Sequence, residues 1–135
     1  MTKEISEWNG YPVYGDIREL DSIANTDGLI HLDKEDIISV LSAEGENYLI
    51  SSVNDSLGEA FSEALNSLPC KVDKLNNLMI YFRYGNKHLK MSELSSVKAK
   101  LSEAKPGDID VIWGTSFDET LGYSCKVTLL ASVKA

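Results

Sequence analysis

Asp108-Ile-Asp-Val-Ile-Trp-Gly-Thr-Ser-Phe-Asp-Glu-Thr-Leu-Gly-Tyr-Ser-Cys-Lys-Val-Thr-Leu-Leu-Ala-Ser-Val-Lys-Ala135 closes the chain and decides how the rest is read. Residues 109–113 are mostly branched and aromatic, the composition of a strand. Residues 114–122 carry two glycines and a polar run, and read as a loop. Residues 123–133 alternate, with Cys125, Val127, Leu129, Ala131 and Val133 on one face, and read as a last strand. Two strands joined by a loop predict an antiparallel hairpin.

Upstream, Pro106-Gly107 breaks the chain. Before it, Leu94, Val97, Leu101 and Ala104 recur at helical spacing and predict a helix over 93–104, capped by Ser92. Residues 75–84 predict a strand whose run Leu78 to Phe82 is apolar on both faces, which places it inside a sheet. A helix over 56–68 carries Leu57, Ala60, Phe61, Ala64, Leu65 and Leu68, with Asn54 or Asp55 as cap and Pro69 as stop. A strand over 46–53 turns Tyr48 and Ile50 to one face and Leu49 and Val53 to the other. A helix over 34–43 has Ile37, Ile38, Val40 and Leu41 as its apolar face and Asp33 as its N-cap. Residues 29–33 read as extended. A short helix over 17–24, capped by Asp16, precedes them.

Residues 1–16 hold Gly10, Pro12 and Gly15 and read as an N-terminal arm, with a short strand at 11–14 and Trp8, Tyr11 and Tyr14 as anchors. Residues 17–135 then form one domain. Strand–helix alternation ending in a hairpin predicts an α+β fold of two layers. Its four-stranded mixed sheet (46–53, 75–84, 109–113, 123–133) carries helices 56–68 and 93–104 on one face.

The net charge is −8, from 13 Lys+Arg against 21 Asp+Glu. Nucleic-acid phosphates and anionic membrane surfaces both select for clustered cations, so neither is an expected partner. No apolar run reaches the length of a membrane span, and the first residues lack an apolar signal core. Cys70 and Cys125 are too few for a disulfide scaffold. A cytoplasmic protein is expected.

The nine glycines are scattered, and none forms a Walker or Rossmann phosphate cradle. No Gly-x-Ser-x-Gly elbow is present. The sequence implies no cofactor, and the isolated chain is expected neither to bind nor to hydrolyse GTP. His31, Asp33 and Asp36 admit a metal-cluster reading. A cap aspartate, a first-turn aspartate on the helix dipole and a surface histidine account for them more simply, so no metal is expected.

Two segments carry a resemblance. Gly28-Leu-Ile-His-Leu-Asp-Lys-Glu-Asp36 is similar to the FtsZ synergy loop, Gly-Leu-Ile-Asn-Val/Leu-Asp-Phe-Ala-Asp. Val111-Ile-Trp-Gly-Thr-Ser-Phe-Asp-Glu-Thr-Leu-Gly122 resembles the family's Ile-Phe-Gly-Thr-x-x-Asp-Glu-x-Leu-Gly loop, followed by the same Val-Thr-Leu-Leu-Ala strand. The likeness covers roughly residues 19–133. It implies a stand-alone domain like the C-terminal, GTPase-activation half of FtsZ and tubulin, without the GTP-binding half.

In that family the synergy loop enters the nucleotide pocket of the next subunit. Its two aspartates, here Asp33 and Asp36, help polarise the attacking water. The resemblance therefore implies an in-trans catalytic role for Asp33 and Asp36, and a partner-binding role for His31, Asp33, Lys34, Glu35 and Asp36. His31, Lys34 and Glu35 stand where the family has asparagine, an aromatic and a small residue.

Three functions are compatible. The first is a non-enzymatic module that caps or modulates an FtsZ- or tubulin-like protomer. The second is activation of a partner's GTP hydrolysis in trans. The third is reuse of the fold for self-association or small-ligand binding.

Overall fold

The strand expected over 75–84 is the spine of the molecule. The computed structural model describes residues 5–26, 31–43, 45–68, 74–86, 91–104 and 110–133. In chain order the elements are β1 (Ile5–Trp8), β2 (Tyr11–Tyr14), α1 (Arg18–Asn25), α2 (Lys34–Leu41), β3 (Glu46–Asn54), α3 (Leu57–Asn66), β4 (Leu75–Tyr84), α4 (Met91–Ala104), β5 (Asp110–Phe117) and β6 (Cys125–Val133). They build a six-stranded sheet in the order β1-β2-β3-β6-β4-β5. Leu78, Met79, Ile80, Tyr81 and Phe82 are all fully buried, the inner position that a strand apolar on both faces requires.

The expected terminal hairpin does not form. β4 lies between β5 and β6, parallel to β5 and antiparallel to β6. The reason is the helix between β4 and β5. A strand–helix–strand crossover returns the chain parallel to its starting strand. The connection after β5 then passes over the end of β4, where Asp118 N–H donates to the Tyr84 carbonyl at 2.8 Å and Asn86 N–H donates to the Gly122 carbonyl. The strand also continues through Gly114 to Phe117, into the stretch expected as loop.

The two-layer, four-stranded expectation is corrected as well. Helices cover both faces. Leu57, Phe61 and Ala64 of α3, with Val97 and Leu101 of α4, pack on Leu78, Ile80, Phe82, Val127, Leu129 and Ala131. Leu20 and Ile23 of α1, with Ile37, Val40 and Leu41 of α2, cluster with Leu49, Met79, Tyr81 and Leu130. Strand side chains alternate between faces, so β4 and β6 each offer two apolar surfaces. One helical layer cannot bury both.

The two added strands come from the N-terminal residues. β1 and β2 form an antiparallel hairpin. Asn9 (φ 51°) and Gly10 (φ 86°) supply the left-handed pair of a two-residue turn. β2 joins the edge of β3 in parallel at Tyr14 and Tyr48, whose rings stack 4.9 Å apart. Trp8 is buried against α1, and its Nε1 donates to Asp21 at 2.8 Å.

The caps differ in detail from expectation. Ser56, not Asn54 or Asp55, caps α3, while Asn54 Oδ1 accepts the Ser56 N–H. Ser92 lies inside α4 rather than before it. Ile17 holds the N-cap position of α1, with Asp16 one residue earlier accepting the Arg18 N–H.

Candidate functional site

The residues singled out by sequence lie where α2 begins. Gly28 to Ile30 fall outside the described residues. His31, Asp33, Lys34 and Glu35 are exposed and Asp36 is half-buried. Asp33 is the N-cap of α2. Its Oδ1 accepts the Asp36 N–H at 3.0 Å, and Asp36 Oδ2 accepts the Asp33 N–H at 3.0 Å. This is a reciprocal capping box with aspartate in both places. The backbone N–H of Asp36 stabilises the ionised Asp33 carboxylate and holds it below its ordinary range. Thus the two candidate catalytic carboxylates share one structural job, each spending an oxygen on the cap.

Between exposed neighbours, Leu32 turns inward and is 5% exposed. Its side chain lies over Gly114 of β5. A Cβ placed on Gly114 would stand 2.6 Å from Leu32 Cγ and 2.7 Å from Tyr81 Cδ1. The glycine of the Trp-Gly-Thr motif is therefore the floor on which the front segment rests. The two stretches found separately in sequence are one contact in space.

On the other side, His31 Nδ1 lies 3.0 Å from the Thr26 carbonyl at the end of α1. Just past the start of α2, Ser39, Val40, Asn77, Val111 and Ile112 line a shallow recess of about 320 Å³. Among the described residues, no group of three His, Cys, Asp or Glu side chains is arranged to hold a metal ion.

One cluster was not anticipated. Arg83, at the end of β4, is 9% exposed. Its Nη2 donates to Ser22 Oγ at 2.8 Å and lies 3.4 Å from Glu19 Oε2. Lys126 of β6 pairs with the same glutamate. An arginine following an all-apolar strand was the available signal, because such a charge is buried only with a partner. The partner's identity was not legible, since it comes from a distant helix.

This mixed sheet between helical layers, with Leu32 on Gly114, is an α+β fold similar to that of FtsZ. The chain's neighbours in sequence and structure are proteins of the FtsZ/tubulin family. Cell division protein FtsZ 1 of Methanocaldococcus jannaschii is 29% identical over 119 residues, covering 84% of this chain and 32% of that protein. An empty FtsZ dimer of M. jannaschii matches with a TM-score of 0.71 at 28% identity, covering 86% of this chain and 35% of that one. TubZ of Bacillus thuringiensis serovar israelensis, in GDP-form protofilaments, shares the fold with a TM-score of 0.71 at 14% identity over 88% of this chain and 34% of that one. This chain thus spans about a third of the length of the relatives it matches. No family model matches it. Among the described residues no helix is long and apolar enough to cross a membrane.

Proposed function

We propose that this is a non-enzymatic domain corresponding to the C-terminal part of FtsZ, and that it docks on an FtsZ-type protomer through residues 31–36. It would act in cell division or a related cytoskeletal process by capping or modulating the filament. The supporting observation is the double character of the segment. Its charged side chains face solvent, while Leu32 and the capping box fix its backbone. A contact surface needs both properties, because an exposed but unfixed loop loses conformational entropy when it binds.

Capping or modulation is favoured over catalysis in trans. Asp33 and Asp36 are already engaged in the box, and the charge on Lys34 and Glu35 alters the surface that would meet a nucleotide. The test is GTP turnover by an FtsZ-type GTPase, with wild-type domain and with Asp33→Asn/Asp36→Asn. Asparagine oxygens still accept the cap hydrogen bonds, so the fold survives. Capping predicts that both proteins, added at saturating amounts to offset any loss of affinity, alter turnover equally, by changing the amount of polymer. Loss of the effect in the double variant would establish the aspartates as trans-acting. No effect of either protein would remove the proposal.

A further inference from the structure

Asn9 is the one asparagine of the chain that is followed by glycine. In such a pair the glycine nitrogen, with no side chain beside it, can attack the asparagine Cγ. The new Cγ–N bond closes a five-membered succinimide. The amide proton leaves with the side-chain nitrogen as ammonia. Water then opens the ring at either carbonyl and yields aspartate or isoaspartate. Water is the only co-reactant. Asn9 and Gly10 are both exposed, and a Cβ built on Gly10 would meet no atom within 4 Å. Packing therefore shields neither the reacting atoms nor the ring from water.

Conformation is what protects the pair. Asn9 has a φ of 51°. An L-residue there is confined to ψ of about +30° to +60°. At that ψ the Gly10 nitrogen lies nearly anti to Asn9 Cβ across the Cα–C bond, whereas ring closure needs the two eclipsed. The turn must open before the bond can form. β1 is the edge strand of the sheet and pairs with β2 alone. Trp8, next to Asn9, keeps it in place through its buried ring and its hydrogen bond to Asp21. We infer that Asn9-Gly10 is a site of spontaneous deamidation gated by opening of the β1–β2 hairpin, with Trp8 as the latch.

The two products differ in what they do to the fold. Asp-Gly suits the same turn, so the aspartate product leaves the hairpin closed with one more negative charge. Isoaspartate carries the main chain through Cβ and Cγ, one carbon longer. Hairpin register is fixed by the turn, so the longer link no longer holds Trp8 opposite Tyr11. That form loses the latch.

The test incubates the whole chain at mildly alkaline pH. Mass spectrometry follows the peptide that holds residues 9 and 10, and enzymatic methylation of its carboxylate reports isoaspartate. The native protein should deamidate about tenfold or more slowly than the same chain unfolded in guanidinium chloride, because only the open fraction reacts. Trp8→Ala should bring the native rate toward the unfolded one. Asp21→Ala changes an exposed residue on another element and leaves the Trp8 ring intact. It should speed the reaction about two- to tenfold, the worth of one hydrogen bond. If Trp8→Ala does not fold, Asp21→Ala decides. The isoaspartate form should melt below the wild type, and Asn9→Asp should melt with it. Equal rates in the native and unfolded chain, or a native rate indifferent to Asp21→Ala, would overturn the inference. So would an isoaspartate form as stable as Asn9→Asp.

Discussion

Gly114 and Leu32 are the pair on which the account turns. Alanine at Gly114 would force Leu32 and Tyr81 apart, both packed in the same apolar cluster. Gly114→Ala should destabilise the fold by about 1–3 kcal/mol, the usual effect of overpacking. Leu32→Ala should cost about 2–5 kcal/mol through the cavity it leaves. Because the two side chains compete for one space, the double variant should lose clearly less than the sum. Chemical denaturation of the four proteins measures this, and strict additivity would show that the segment does not rest on β5. Asp33 offers a milder check. Its carboxylate pKa is lowered in the fold, chiefly by the Asp36 backbone N–H. A lowered folded pKa means stability that is present above the unfolded value, near 3.9, and lost as pH falls through the folded one. Asp33→Asn cannot titrate and should remove this acid sensitivity of α2. Asp33→Ala should lower the melting temperature at neutral pH, where Asp33→Asn does not. Comparable melts of the alanine and asparagine variants would argue against the cap.

At the scale of elements, the N-terminal hairpin is part of the core. Trp8 is 5% exposed, donates to Asp21 and packs in the cluster that holds α1 and α2. Trp8→Ala should cost about 3–5 kcal/mol, as deletion of a buried aromatic does. A loss below 1 kcal/mol would show that β1 is an appendage. The hairpin was legible in Asn9-Gly10, whose turn preference is strong, but Pro12 and Gly15 pointed to a loop. β4, the helix faces and the alternation of β6 were legible because local periodicity reports burial directly. The order of the strands was not. It depends on which surfaces remain apolar after each helix docks, and the C-terminal strands looked like a hairpin only because they are close in sequence. The candidate site divides in the same way. Asp33 as cap follows from its position before Ile37, whereas Leu32 on Gly114 and Glu19 on Arg83 join residues far apart in the chain, which no local pattern encodes.

For the molecule as a whole, the fold matches about a third of an FtsZ chain and buries two apolar clusters around one sheet. On the proposed reading, the domain offers a filament protomer one contact surface, residues 31–36. It should therefore stop growth at the end where it docks and never extend a filament. The direct measurement is sedimentation of an FtsZ-type polymer, assembled with GTP, against increasing amounts of the domain. The account predicts that substoichiometric domain reduces the pelleted polymer, and that Leu32→Ala and Lys34→Glu/Glu35→Lys weaken the effect. An unchanged pellet, with the domain left in the supernatant at every ratio, would contradict it.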